Sequence, residues 1–275
     1  MTDSLTFNDW MKGVQSTMED ALAIFLPPDA QVPARLHAAM RYAALDGGKR
    51  VRPLLVFAAG DLFDADAGML ARAAAAVEMI HAYSLVHDDM PCMDDDALRR
   101  GKPTVHVKYD EATALLVGDA LQAQAFLVLS EGDADPARKL TMVRLLAGAA
   151  GSAGMCGGQA IDLESVGVAL SLSELERMHR LKTGALLRAS VLLGAWSGKQ
   201  PSDAETAALD AYAGAVGLAF QVVDDVLDAT ADSATLGKTA GKDAADNKPT
   251  YVSILGLEES KALAETLRDD AYEAL

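Results

Sequence analysis

Aspartates are gathered into two dense groups in this chain. The first runs Asp88-Asp89-Met90-Pro91-Cys92-Met93-Asp94-Asp95-Asp96 and the second Asp224-Asp225-Val226-Leu227-Asp228, each at the end of a long apolar helical pattern. Adjacent carboxylates repel by roughly 1 kcal/mol per close pair in water and by roughly 4 at an effective dielectric near 20. Collecting several of them on buried helix ends therefore calls for cations, and a divalent metal site is the simplest reading. Hard cations such as Mg²⁺ prefer oxygen, take one or two protein carboxylates each, and fill their octahedra with water and substrate phosphate. Two groups point to several metals around one phosphorylated substrate. Asp224 and Asp228, four apart, share a helix face, and so do His81, Ser84 and Asp88.

Fixed positive charges accompany the acids. Lys49, Arg52 and Arg100 stand out, and Arg99-Arg100 follows the first group by only a few residues. Arginine offers a planar fork for phosphate oxygens and lysine a point charge, so an anion can be held through side chains as well as through metal. Neutralising the neighbouring aspartates is the alternative role of Arg99 and Arg100. His81 reads as a ligand, a base or a core histidine. Lys182-Thr183-Gly184 lies in an apolar helical stretch, where a buried ammonium needs a partner. Gln221 precedes Asp225 by one turn, and Lys238 and Lys248 fall in the loop after the second group; all are compatible with phosphate. Gly157-Gly158-Gln159 with Asp162 reads as a tight helix crossing. No Ser-His-Asp order, zinc-type Cys/His spacing or Walker or dinucleotide glycine loop is present, which disfavours covalent catalysis and nucleotide hydrolysis.

These side chains need helices to position them. The chain has 275 residues, 51% hydrophobic but only 5% aromatic, a diet that suits helices better than sheets. With no linker composition inside it, it reads as one all-α domain. Helices are expected at Asp9 to Leu26, from Pro33 to Leu45, from Pro53 to Leu62, and from Ala67 to His87, the last buried on most faces. Pro91 breaks that helix and lets Asp94 fold back towards Asp88. Further helices are expected at Tyr109 to Ser130, Pro136 to Ala150, Ser173 to Ser197 and Ser202 to Asp228, with no alternating strand anywhere. Glu258 to Leu275 reads as a helix without a glycine cap, so a further C-terminal segment is expected beyond it.

The formal charge of −16 argues against a nucleic-acid surface, which needs a basic stripe, but not against small anions held in a locally basic cleft. Cys92 and Cys156 are too few for a disulfide framework. The N-terminus shows no secretory pattern, and the longest uncharged run, Leu145 to Ile161, falls short of a spanning helix. A soluble cytoplasmic protein without a membrane span is expected.

The motifs together resemble the trans-isoprenyl diphosphate synthases, most nearly the bacterial farnesyl diphosphate synthases. The resemblance covers nearly the whole chain: Gly47-Gly48-Lys49-Arg50-Val51-Arg52-Pro53, then Asp88 to Gly101 as the longer bacterial first aspartate motif, and Asp224 to Asp228 as the second. It implies antiparallel helices around a deep central cavity, usually in a homodimer. It implies three Mg²⁺ held by Asp88, Asp94 and Asp224. Arg99, Lys182, Thr183, Gln221 and Lys238 would hold an allylic diphosphate, and Lys49, Arg52, His81 and Arg100 isopentenyl diphosphate. The implied chemistry is condensation of the two to farnesyl diphosphate, with Tyr83 and Ser84 as the floor that limits chain length. A geranyl or geranylgeranyl diphosphate synthase shares every motif and differs at that floor. A non-catalytic helical subunit is the remote alternative, disfavoured because both aspartate motifs are intact.

Overall fold

A computed structural model describes residues 6–230 and 249–275. It is helical almost throughout: α1 (Phe7–Phe25), α2 (Ala34–Ala44), α3 (Val51–Leu62), α4 (Ala67–Asp88), the short α5 (Val105–Lys108), α6 (Glu111–Ser130), α7 (Pro136–Ala150), α8 (Met155–Glu164), α9 (Leu172–His179), α10 (Ala185–Gly198), α11 (Asp203–Thr230), α12 (Tyr251–Leu255) and α13 (Leu257–Glu273). The all-α expectation holds. Two features depart from it. Leu98–Arg99 and Lys102–Pro103 form a two-residue antiparallel hairpin, too short to leave an alternating pattern. The helix expected over Ser173 to Ser197 contains a π-helical turn, Arg180–Gly184, between α9 and α10.

Two compact units are present, Met1–Val143 with Leu193–Gln200, and Arg144–Leu192 with Pro201–Leu275. In the first, α4 packs most extensively on α6 and also on α1, α2 and α3. The N-terminus of α4 is capped by Asp66, whose side chain accepts from the Met69 N–H. The run Ala73 to Ile80 is buried entirely, Glu78 included. Close approach of α6 needs Gly118, where a Cβ would lie 1.9 Å from His87 Nε2.

In the second unit α11 packs chiefly on α13 and also on the π turn, α9 and α12. Leu175, Met178, Leu218, Val222, Tyr251 and Leu267 form its core. Of the described helices, α4, α6 and α11 are long and apolar enough to cross a membrane by length and composition. Counting uncharged runs missed them because single residues such as Glu78 and Asp119 interrupt them. In α4 most of the apolar stretch is buried inside the protein.

Candidate active site

In the first unit, α4 ends at the first aspartate group and the chain turns sharply after Pro91. The Asp94 N–H donates to the Asp88 carbonyl at 2.9 Å, and the Asp96 N–H to the Asp89 carbonyl at 3.1 Å. Asp95 adopts φ 49°, a left-handed conformation that aspartate tolerates better than most residues. Asp94 does fold back to Asp88, as the proline position led one to expect. Asp88 and Asp94 are half-buried. Asp89 is buried and receives Arg99, whose Nε donates to its two oxygens at 2.8 and 2.9 Å and whose Nη2 donates at 2.5 Å. Burial raises the Asp89 pKa, against the pull of the Arg99 guanidinium.

Arginines dominate the field around this turn. Burial drives His81 well below the usual histidine range, and the charges of Arg52, Arg100, Arg99 and Arg50 push it further. His81 is therefore a neutral donor and acceptor and not a further cation. Arg52 itself is lowered to about 10 by burial, partly offset by Glu78. Arg100 donates from Nη1 to the Gly47 carbonyl at 2.7 Å. Lys49 is exposed, and its carbonyl accepts from Gln15 Nε2 at 3.2 Å.

Beneath this cluster lies an ion group that the sequence reading overlooked. Arg50, at φ 52° and ψ 37°, precedes α3. Its Nη1 donates to Glu78 Oε1 at 2.6 Å, its Nη2 to Glu19 Oε1 at 2.5 Å, and its Nη2 also to the Ala44 carbonyl at 2.8 Å. Burial opposes the charge on Arg50, but Glu78 and Glu19 more than offset this and raise its pKa. The available signal was Glu78, the single charge in the otherwise apolar middle of α4.

The second unit presents a different arrangement. Helix α8 crosses the π turn so closely that a Cβ on Gly158 would lie 2.1 Å from the Lys182 nitrogen. The crossing sets Lys182 Nζ 2.6 Å from Asp162 Oδ2, which supplies the partner a half-buried ammonium requires. Thr183 Oγ1 donates to Gln221 Oε1 at 3.3 Å, and Gln221 Nε2 donates to Asp225 Oδ1 at 2.9 Å. Asp162, His179, Lys182, Gln221, Asp225 and Thr250 line a cavity of about 80 Å³. His179, also overlooked in the sequence, stacks on Tyr251 with ring centroids 5.5 Å apart. Burial lowers its pKa to about 4. Asp224 is half-buried, whereas Asp225 and Asp228 are buried.

A family model described as polyprenyl synthetase matches residues 33–274. The chain belongs to the polyprenyl synthetase family. A probable farnesyl diphosphate synthase of Bradyrhizobium diazoefficiens is 54% identical over 269 residues, 97% of this chain and 81% of that one. The crystal structure of an FPP/GFPP synthase from Zymomonas mobilis superposes with a TM-score of 0.87 at 44% identity, covering 98% of this chain and 91% of that one. A geranyltransferase from Helicobacter pylori, solved in complex with magnesium and isoprenyl diphosphate, gives 0.84 at 33% identity, covering 99% and 92%.

In this polyprenyl synthetase the first unit gathers Asp88, Asp94, Arg52, His81, Arg99 and Arg100, and the second gathers Lys182, Thr183 and Gln221 beside Asp162 and Asp225, with Asp224 the neighbour of Asp225 on α11. Lys238 and Lys248 lie outside the described residues. Tyr83 is 5% exposed on α4 and meets His87 edge-on, and Ser84 Oγ donates to the His81 carbonyl at 2.8 Å. Among the described residues no three His, Cys, Asp or Glu side chains converge as a metal cage. Magnesium needs no such cage, since one or two carboxylates with water and phosphate suffice. In the first unit half-buried Asp88 and Asp94 on one turn are a fitting pair of hard oxygen donors, and in the second half-buried Asp224 on α11 is another.

Proposed function

We propose that this chain is a Mg²⁺-dependent prenyltransferase that condenses isopentenyl diphosphate with dimethylallyl or geranyl diphosphate to give farnesyl diphosphate. The observation that carries this reading is the basic cluster at the first aspartate turn. Arg52, Arg99, Arg100 and neutral His81 gather where Asp88 and Asp94 are brought together, so side-chain-held and metal-held diphosphates are both provided for. Asp88, Asp94 and Asp224 would hold three Mg²⁺, which when bound supply Lewis-acid neutralisation of the departing diphosphate.

The residues themselves do the rest. Lys182, steadied by Asp162, places a fixed positive charge at the allylic diphosphate, and Thr183 and Gln221 add hydrogen bonds to it; charge that grows there on leaving is stabilised in advance. The allylic C–O bond breaks heterolytically. Arg52, Arg100 and Lys49 orient isopentenyl diphosphate, whose double bond attacks the cation, and the released diphosphate takes the proton lost afterwards. His81, being neutral, contributes an N–H. The apolar stretch of α4 that carries Tyr83 keeps water from the cation.

The reading includes a homodimer in the cytoplasm. Support for a second copy comes from α6, where Leu115, Leu116 and Leu127 are about half exposed at 49%, 54% and 50%. The decisive assay is incubation with Mg²⁺, isopentenyl diphosphate and geranyl diphosphate, followed by mass analysis of the prenyl product. A C15 diphosphate that disappears with a chelator is expected. Diphosphate release without a longer prenyl chain would overturn the proposal.

A further inference from the structure

Within each Asp-Asp pair the two carboxylates are placed differently. Asp88 and Asp224 are half-buried, while Asp89 and Asp225 are 3% and 4% exposed. Asp89 is committed to Arg99. Asp225 is committed on both of its oxygens, Oδ1 accepting from Gln221 Nε2 at 2.9 Å and Oδ2 from the Tyr251 backbone N–H at 2.8 Å.

The Tyr251 N–H is the key donor. Tyr251 opens α12, where the first amides have no partner inside the helix. Thr250 caps that end through its side chain, but the amide it satisfies is that of Ser253. The Tyr251 side chain is fully buried, so water does not readily replace a lost acceptor. A carboxylate accepting two N–H bonds in a buried place makes stronger bonds than a neutral group, and its removal leaves two donors stranded. One residue earlier on α11, Asp224 projects about 100° around the helix.

We infer that Asp225 is a positioning residue and not a magnesium ligand: it ties α11 to the start of α12 and, through Gln221, aligns Thr183. The alignment of Thr183 and Gln221 towards a diphosphate rests on the prenyl-transfer reading; the tie to α12 does not. The division within the second aspartate motif is then simple. Asp224 faces ligand, and Asp225 holds the wall from behind.

Two variants separate these roles, Asp225→Asn and Asp224→Asn, with Mg²⁺ and inorganic pyrophosphate as the probes. Asparagine keeps one acceptor oxygen but turns an NH₂ on the other donor. For Asp225→Asn the metal-free protein should melt about 5 °C lower, and backbone exchange at Tyr251 should accelerate at least about tenfold. The melting shift on adding Mg²⁺ with pyrophosphate should stay within about twofold of wild type. For Asp224→Asn that shift should be lost, with Tyr251 exchange unchanged and metal-free melting unchanged or raised. An Asp225→Asn protein with wild-type exchange and metal-free melting, but no pyrophosphate shift, overturns the inference. Should the variant not fold, exchange in wild type decides: the Tyr251 amide must be protected without Mg²⁺, and an unprotected amide overturns the tie. A wild-type protein with no pyrophosphate shift would count against the prenyl-transfer reading, and Tyr251 exchange would still decide the tie to α12.

Discussion

Tyr83 stands five residues before Asp88, about 7.5 Å along the axis of α4, and its ring is buried. On the proposed prenyl-transfer reading, a tail anchored by its diphosphate at Asp88 and growing along α4 would meet that ring before it could lengthen further. Tyr83→Ala is expected to move the product distribution from C15 towards C20 and longer, with turnover retained; chromatography of the dephosphorylated products checks it, and an unchanged C15 product would remove Tyr83 as the floor. At this scale the aspartates, Lys182 and the arginines were legible because their types and spacing are unusual in apolar helical sequence. Glu78, Glu19 and His179 were not, since their roles depend on partners from distant segments: Glu78 meets Arg50 twenty-eight positions earlier, and His179 meets Tyr251 seventy-two positions later. Arg99 was read as either a diphosphate holder or a neutraliser of aspartates, and in this structure its guanidinium lies on Asp89.

In the second unit the π turn Arg180–Gly184 sets Lys182 against α8 and Thr183 against Gln221 of α11. Its neighbour Gly158 has no room for a side chain, because the atom a Cβ would meet at 2.1 Å is main chain and cannot swing aside. Gly158→Ala should therefore lower stability by about 1–3 kcal/mol and, by shifting α8, loosen the Lys182–Asp162 pair. Urea unfolding and steady-state kinetics together test this: the expected result is a lower midpoint with a kcat loss of about tenfold or more, and wild-type values for both would contradict it. Most helices were legible from apolar periodicity and prolines. The π turn and the two-residue hairpin were not, because neither changes the apolar pattern over a long enough stretch. The helix expected from Tyr109 instead starts at Glu111, where Asp110 caps it by accepting from the Thr113 N–H.

For the molecule as a whole, buried neutral histidines contribute to its response to acid. His179 has a folded pKa of about 4 against 6.5 for an ordinary histidine, so below about pH 6.5 the unfolded chain takes up a proton that the folded one refuses. Stability falls with pH through that window, by about 1.4 kcal/mol per unit for the group, and levels off below the folded pKa. His81, shifted in the same direction, adds to the effect. His179→Phe keeps an aromatic ring on Tyr251 and should recover about 2–3 kcal/mol at roughly pH 4.5 while changing little at neutral pH; urea midpoints at several pH values measure it, and parallel curves for the two proteins would refute it. Assembly is the other molecular property at stake. Leu116→Asp combined with Leu127→Asp should halve the mass seen by light scattering if α6 carries the proposed dimer contact, and an unaltered mass would exclude that face.

Arg50 ties the N-terminal helix into this scheme. Because its guanidinium divides between Glu19 on α1 and Glu78 on α4, and Glu19 also accepts from the Asp46 N–H at 3.0 Å, α1 is not an appendage that trimming could spare. A chain begun after Phe25 would keep the catalytic motifs intact in sequence, yet would leave Arg50 with one acid in place of two and the glycine turn before Lys49 without its brace. On the proposed reading, so remote a truncation would weaken isopentenyl diphosphate binding through that missing brace as well as through the core side chains Met18 and Leu22 that leave with α1.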